Sequence, residues 1–458
     1  MAREQRRPAV TAAGQGTVAR RAVRGRLLDF VADPAEVGAA ASYRYVPDGL
    51  LVIEGGRIAG LGEARGLLPR LPPGTPVDEY PDHLVMPGLI DAHIHYCQTQ
   101  VIASYGAQLL EWLRRYTFVE EQRFADPAHA ARVARFFMAE LLRNGTTTAV
   151  VYCTVHPESA EAFFAESERR GTRMVAGKVM MDRNAPERLT DTAERGYAES
   201  RALLERWHGR GRQSYAITPR FAVTSTEAQL EAAGALAREF PDAHVQTHLA
   251  ETTEEIETVR RLFPSASSYT DVYDRFGLLG PRTVLGHCIH LAEGELARLH
   301  ATGAVAAFCP TSNLFIGSGL FDLARLRAPA RPVRVGLATD VGGGTSYSML
   351  RTAAGAYEVL QLRGQNLPAL DALHMMTLGN ARALGLEGEI GTLAVGSAAD
   401  LVVLDTAATP AMRHRREAVH DGALEEELFL LVTLGDDRSV RATYVAGERV
   451  VPEPDGEG

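Results

Sequence analysis

The stretch that organises this chain is Val85-Met86-Pro87-Gly88-Leu89-Ile90-Asp91-Ala92-His93-Ile94-His95. A continuous apolar run of this kind predicts a buried strand of a parallel sheet. Side chains alternate along a strand, so His93 and His95 point to the same side, where both imidazoles can bind one ion. Histidines two residues apart also occur in cores without a metal, so the pair by itself does not establish a metal site.

Seven further apolar strands follow, and helical patterns separate several of them. The strands are predicted at Ala149–Tyr152, Met174–Val179, Tyr215–Pro219, His244–Thr247, Thr283–Gly286, Ala304–Phe308 and Val335–Thr339. The helical patterns occur at Pro127–Asn144, Ser159–Arg170, Thr226–Phe240 and Gly294–Thr302. Strands alternating with helices predict a parallel sheet, and eight such strands predict an α/β fold, a distorted (β/α)8 TIM barrel.

Both ends of the chain carry β-strand patterns. Leu50–Ile53, a Gly55-Gly56 turn and Ile58–Leu61 predict a hairpin, and Leu401–Leu404 with residues 441–450 predict further strands. Neither end can bury a core alone, so we expect them to pair in one small β-sandwich domain. The predicted organisation is a basic disordered tail at 1–26, sandwich at 27–84, barrel at 85–390, sandwich at 391–451 and a tail at 452–458.

Three more residues of metal-binding type end predicted barrel strands. His248 ends the fifth strand, His287 the sixth and Asp340 the eighth. Barrel enzymes build their active sites at these carboxyl ends, and imidazole with carboxylate suits zinc or iron. Each residue alone could be a core histidine or a helix-capping aspartate, but their shared placement predicts a metal site.

Composition narrows the class of protein. Hydrophobic residues make up 46% and charged residues 23% of the chain, which is typical of a globular protein and excludes disorder. The net charge of −9 argues against a nucleic-acid partner. We expect no membrane association, because no apolar run is long enough for a span and no secretory signal is visible. The four cysteines lack metal or disulfide spacing, so we expect a reducing, cytoplasmic location.

The stretch 87–95, together with His248, His287 and Asp340, resembles the amidohydrolase superfamily. The segment at 391–405 resembles it as well. Within the superfamily, longer stretches resemble the guanine deaminases, and these are residues 93–98, 109–113, 177–182, 218–221 and 309–314. The resemblance covers residues 27 to 450, and the Arg-rich tail and Cys97 depart from the family pattern.

The resemblance implies that His93, His95, His248 and Asp340 bind one Zn²⁺, with iron as the alternative. Many amidohydrolases hold two metals bridged by a carbamylated lysine near the end of a middle strand. The fourth predicted strand here has no lysine, and Lys178, the only lysine in the chain, lies on the third. Lys178 is expected to be either structural or close to the substrate, which leaves no bridging lysine, so we expect one ion per chain.

The resemblance also implies hydrolytic deamination of guanine to xanthine and ammonia, by attack of a metal-activated hydroxide on C2. Asp340 would take a proton from the water while His287 holds its oxygen in line. Glu251 would give a proton to ring nitrogen N3 and then help ammonia to leave. Taken alone, Glu251 could equally be a carboxylate at a helix N-terminus.

Substrate contacts are implied for His95, Gln98, Arg220, Phe221, His248, Glu251 and Asp340. Gln98 offers a donor and an acceptor, whereas Arg220 offers only donors. Arg220 therefore suits the O6 carbonyl of guanine and rejects the C6 amine of adenine, and Phe221 could stack on the ring. The alternatives are an ion pair at the barrel mouth for Arg220 and a core position for Phe221.

Two rival functions stay open. One is deamination of a related ring, such as 8-oxoguanine, cytosine or a triazine, on the same metal site. The other is a non-catalytic, amidohydrolase-like assembly protein, which would lack metal ligands or Glu251, although all of them are present. The resemblance also implies a homodimer with a small-molecule purine as its substrate. The apolar segment Tyr105–Phe118 is predicted to form a lid or part of the dimer interface.

Overall fold

The computed structural model describes residues 20–106, 108–419 and 423–450. Two sheets contain the strands of this described part of the chain. The strands are β1 (Arg20–Phe30), β2 (Tyr43–Glu54), β3 (Arg57–Glu63), β4 (Val77–Pro87), β5 (Leu89–His95), β6 (Thr146–Tyr152), β7 (Arg173–Gly177), β8 (Val179–Met180), β9 (Ser214–Pro219), β10 (His244–Leu249), β11 (Thr283–His287), β12 (Val305–Phe308), β13 (Arg334–Leu337), β14 (Leu401–Leu404), β15 (Val440–Val445) and β16 (Glu448–Val450).

The larger sheet is the predicted barrel. Its strands follow the order β13-β12-β11-β10-β9-β7-β6-β5, all of the pairs are parallel, and β8 pairs with β9. The residues after β13 return to β5, where the backbone N–H of Asp340 donates to the carbonyl of His93 at 2.9 Å. Eight parallel strands in a nearly closed ring confirm the (β/α)8 architecture.

Helices connect and cover the barrel strands. The α-helices are Pro34–Val37, Ala39–Ser42, Ala64–Leu67, Leu109–Trp112, Phe118–Glu121, Pro127–Arg143, Pro157–Arg170, Ala193–Trp207, Glu227–Glu239, Thr253–Leu262, Tyr269–Arg275, Glu293–Thr302, Pro310–Ile316, Leu323–Leu326, Met349–Leu362, Ala369–His374, Asn380–Leu384, Pro410–Arg416 and Leu424–Leu434. The helix Pro127–Arg143 begins where the Asp126 side chain accepts from the N–H of Ala128, and it buries Val133, Phe137 and Leu141. This spacing places the apolar side chains on one face, against the barrel.

The smaller sheet joins the two ends of the chain, as the sequence predicts. Its order is β16-β15-β14-β4-β1-β2-β3, so β14 from the C-terminal part pairs with β4 from the N-terminal part. The predicted turn at Gly55-Gly56 connects β2 to β3, and both glycines have positive φ. The core of this sheet includes Val23, Leu51 and Tyr444, so apolar residues more than 300 positions apart share one core.

The predicted strand at Val85–His95 is divided between the two sheets. Val77–Pro87 belongs to the smaller sheet and Leu89–His95 to the barrel. The chain crosses between them at Gly88, where a Cβ atom would lie 2.2 Å from the hydroxyl of Thr147. Only glycine allows this close approach. The chain can therefore pass from one sheet to the other at Gly88, in the middle of a single apolar run.

Strand β1 begins at Arg20, inside the region 1–26 that was predicted as a disordered tail. The prediction was wrong for residues 20–26 because their arginines have acidic partners in the fold: Arg24 pairs with Asp48 at 2.7 Å, and Arg26 pairs with Glu427. Residues 1–19 and the predicted tail at 452–458 lie outside the described residues. None of the helices in the described residues has both the length and the apolar character that a membrane span requires.

Candidate active site

Five predicted residues come together at the carboxyl ends of the barrel strands. His93 and His95 end β5, His248 lies in β10, His287 ends β11, and Asp340 follows β13. His93 packs so tightly on β11 that a Cβ atom at Gly286 would lie 2.8 Å from its ring. Strands from different parts of the barrel thus bring side chains separated by almost 250 residues to one place.

Ring nitrogens and a carboxylate oxygen converge at the centre of this cluster. Nε2 of His93 and Nε2 of His95 each lie 3.3 Å from Oδ1 of Asp340, and Nε2 of His248 lies 3.3 Å from Nε2 of His95. Both ring nitrogens of His93 are buried without a hydrogen-bond partner. Buried polar atoms are normally paired, so this convergence of imidazole nitrogens and a carboxylate fits a divalent cation.

The protonation state of two of the histidines also favours metal binding. Burial lowers the pKa of His95 to about 3 and holds the pKa of His248 well below its usual value. Nδ1 of His248 lies 2.8 Å from the carbonyl of Arg220, which can only accept, so this nitrogen carries the proton and Nε2 keeps its electron pair. The imidazoles of His95 and His248 are therefore neutral, and Nε2 of His248 is oriented to bind an ion.

Two site residues have unusual backbone conformations. His287 has φ of 70° and Asp340 has φ of 52°, and Ala250, beside Glu251, has φ of 51°. Non-glycine residues in the left-handed region are uncommon and concentrate at functional sites. Here they turn the chain sharply at the strand ends, where the site residues lie.

Glu251 lies beside His287 and has a perturbed carboxyl group. Its Oε2 atom is 3.3 Å from Nε2 of His287, and its Oε1 atom accepts a hydrogen bond from the Ser318 hydroxyl at 2.8 Å. Burial, followed by the charge of Asp340, raises the pKa of Glu251 to about 8. A carboxyl group that holds its proton near neutral pH can act as an acid.

Gln98, Arg220 and Phe221 line the same pocket as the cluster. The amide of Gln98 and the guanidinium of Arg220 both donate to Glu121, at 3.2 Å and 2.7 Å respectively. The ring of Phe221 lies edge-on to His248, with the ring centroids 6.2 Å apart. Both predicted environments of Arg220, the pocket wall and the ion pair, are therefore present together.

Sequence analysis missed two members of the site. Glu121 belongs to an acidic pair with Glu120, and nothing in that pattern distinguishes it from a surface residue. Cys309 is grouped with His93, His287 and Asp340, and the only signs of this in the sequence are its position directly after β12 and its place in the stretch 309–314. Leu109, Trp112 and Leu113 belong to the segment predicted as a lid or dimer interface, and they line the pocket.

Lys178 is engaged elsewhere. Its ammonium group is buried, 2.7 Å from Asp191 and 3.2 Å from Glu199, and it does not line the pocket. Of its two expected positions, structural or near the substrate, the structural one is observed.

Comparisons with known proteins agree with this geometry. The sequence pattern of the amidohydrolase family matches residues 84–450. A guanine deaminase from Escherichia coli K12 is 46% identical over 433 residues, which cover 94% of this chain and 97% of that protein. The solved structure of E. coli guanine deaminase superposes with a TM-score of 0.91 and covers 95% of this chain and 100% of that one. Guanine deaminase from C. acetobutylicum, solved with guanine in its active site, is 26% identical with a TM-score of 0.83, over 94% of this chain and 100% of that one.

Proposed function

This chain belongs to the amidohydrolase family, and from that premise we propose that it hydrolyses guanine to xanthine and ammonia. The observation that carries the proposal is one pocket that joins a His/Asp metal cluster to two side chains suited to a purine edge, Gln98 and Arg220. The guanine deaminases to which the chain is similar support the choice of substrate.

The divalent ion of the family is proposed to be one Zn²⁺ per chain, held by His93, His95, His248 and Asp340. The unpartnered nitrogens of His93 and the neutral imidazoles of His95 and His248 support this ligand set, which also accepts iron. When bound, the ion supplies Lewis acidity that makes water a nucleophile near neutral pH. One ion per chain is supported by Lys178, whose amine is already paired with Asp191.

Side chains of the pocket are proposed to accept and donate the protons of the reaction. Asp340 takes a proton from the attacking water, and His287 orients that water through Nε2, since its Nδ1 is held by Asn313 at 2.9 Å. Glu251, protonated at neutral pH because burial raises its pKa, donates its proton to N3 of the ring. The proton that Asp340 took from the water passes to the amine, which leaves as ammonia, and the hydroxyl proton at C2 returns to Glu251 as the new carbonyl forms. The 3.3 Å contact between His287 and Glu251 lets both side chains serve the same reacting carbon.

Selectivity is proposed to come from Gln98, Arg220 and Phe221. A guanidinium only donates hydrogen bonds, so Arg220 pairs with the O6 carbonyl and leaves an amine at C6 without an acceptor. An unpaired buried donor costs about 1–3 kcal/mol, which penalises adenine. Phe221 offers an apolar face to the ring.

The test is ammonia release from guanine, 8-oxoguanine, adenine and cytosine by metal-loaded protein, with and without a chelator. Chelator-sensitive turnover of guanine above the other rings supports the proposal. Preference for another ring rejects the specificity argument, and metal-loaded protein that is inactive on guanine rejects the function. Arg220→Ala should lower kcat/KM for guanine more than for a purine lacking O6, whereas Arg238→Ala, at an exposed position, should lower neither.

We further propose that the protein acts as a homodimer in a reducing cytoplasm. The family resemblance supports the dimer, and four buried, unpaired cysteine thiols support the compartment. Light scattering at micromolar protein concentration tests the dimer, and a monomeric mass rejects it. Cell fractionation tests the compartment.

A further inference from the structure

Glu121 lies behind the two polar side chains of the pocket. It ends the helix Phe118–Glu121, is 1% exposed, and does not itself line the pocket. Nη1 of Arg220 donates to both of its oxygens, at 3.0 Å and 2.7 Å, and Nε2 of Gln98 donates to Oε1 at 3.2 Å. One buried carboxylate therefore holds both side chains that are proposed to bind the purine.

Glu121 determines how Gln98 presents its amide. A side-chain amide can adopt either of two orientations, related by exchange of its oxygen and nitrogen. The Glu121 carboxylate only accepts, and the backbone N–H of Gly342, 3.3 Å from Oε1 of Gln98, only donates. These two contacts are compatible with one orientation alone, so the pattern of donor and acceptor at this wall is fixed.

Glu121 also fixes the position of the arginine and balances its charge. Nη1 of Arg220 is tied to the carboxylate, and its guanidinium lies over the ring of Phe118, 5.4 Å from the centroid. Phe118 and Glu121 belong to the same helix, so one element supplies both contacts. The buried ion pair is neutral overall, and Arg220 thus offers directed donors to a neutral ring without an uncompensated charge.

We propose that Glu121 is a positioning residue that sets the purine selectivity of the pocket, by holding Arg220 and Gln98 in the arrangement that favours a ring with a 6-oxo group. This inference rests on the proposed function, because the 6-oxo group belongs to its substrate. A carboxylate that only balanced the charge of Arg220 would affect folding without changing the preference between rings.

The experiment measures the affinity of metal-loaded protein for hypoxanthine and purine by calorimetry. Both compounds lack the 2-amino group and are not deaminated there, and of the two only hypoxanthine carries the 6-oxo group. The wild type should prefer hypoxanthine. Glu121→Gln should weaken hypoxanthine binding about tenfold or more and change purine binding about twofold or less, since it disrupts hydrogen bonds to one group. Glu121→Asp, which keeps the charge but shortens the reach, should show an intermediate loss of preference.

Asp191→Asn is the matched control. It also breaks a buried ion pair, with Lys178, and neither residue lines the pocket. It should lower the melting temperature and leave the ratio of the two affinities unchanged. If Glu121→Gln does not fold, Glu121→Asp decides the question.

An equal loss of affinity for both rings, no loss, or the same change of preference in Asp191→Asn would overturn the role of Glu121. These outcomes differ from failure of the proposed function. That failure appears in the wild type itself, as absent ammonia release from guanine.

Discussion

His287 and Glu251 meet inside the pocket, with Nε2 of the imidazole 3.3 Å from Oε2 of the carboxyl group. Each is also held from behind, His287 by Asn313 and Glu251 by Ser318. Oδ2 of Asp340 is 3.8 Å from the same imidazole nitrogen. Three groups that can exchange protons are therefore close together, and one of them, Asp340, also belongs to the cluster of metal-ligand type.

Glu251→Gln should retain the fold and the metal but lose most turnover. An amide cannot deliver a proton to the ring, and a positioned acid contributes about 10²–10⁴-fold to a rate. Steady-state kcat on guanine, with metal content measured on the same preparation, checks this. Glu254→Gln, at an exposed position three residues further on, is the control and should behave as the wild type. A Glu251→Gln enzyme with wild-type kcat would remove this residue from the mechanism.

The pH profile should have an alkaline limb controlled by Glu251. Its pKa is raised to about 8, so the carboxyl group is protonated below that pH, and the rate should fall as the proton is lost with rising pH. A bound cation stabilises the carboxylate and moves this limb below 8 in the loaded enzyme. The Ser318 hydroxyl also stabilises the charged form, so Ser318→Ala should shift the limb to higher pH. Profiles of kcat/KM for both proteins give the shift, and a limb that stays in place or moves down contradicts it.

Removal of the metal should destabilise the wild type but not a variant that lacks the ligand His93. Free ion at about 1,000 times its Kd adds about 4 kcal/mol to the free energy of unfolding, and a chelator removes this contribution. The wild type should therefore melt at a lower temperature after chelation, whereas His93→Ala should melt at the same temperature in both conditions.

His374→Ala provides the comparison for His93→Ala. His374 is another buried histidine with both ring nitrogens unpartnered, but it does not line the pocket. Its variant should keep the chelator-dependent shift of the wild type. An equal loss of that shift in both variants would argue against His93 as a ligand.

The buried pair of Lys178 and Asp191 should matter for stability alone. Asp191→Asn leaves a buried ammonium group without its nearest carboxylate, which lowers the free energy of unfolding by about 3 kcal/mol. This is the lower end for a broken buried pair, because Glu199 still lies 3.2 Å from the ammonium group. Urea denaturation measures the change.

The control for Asp191→Asn is Glu231→Gln, in an exposed pair with Arg238, which should cost less than about 1 kcal/mol. Metal content per chain should be the same in both variants. A loss of metal in Asp191→Asn would show that Lys178 is coupled to the site after all.

The barrel and the cluster of metal-ligand type are predictable from sequence because both depend on local order. Apolar strands separated by helices imply a parallel sheet, and the carboxyl ends of such strands meet at one edge. His93, His95, His248, His287 and Asp340 all end or follow strands, so their proximity follows from the alternation alone. The position of Lys178 on the third strand was also predictable, whereas the choice between a structural role and a place near the substrate was not.

Three features depended on contacts between distant parts of the chain. Gly88 divides one apolar run between two sheets because Thr147 leaves no room for a side chain. Arginines 20–26 form a strand because acidic partners such as Asp48 and Glu427 lie beside them in the folded structure. Glu121 contacts Arg220 across 99 positions of sequence, and its neighbour Glu120 has the same local pattern without that contact. Periodicity along a chain reports which face of an element is apolar, but the partner of a buried charge is chosen by how the elements pack in space.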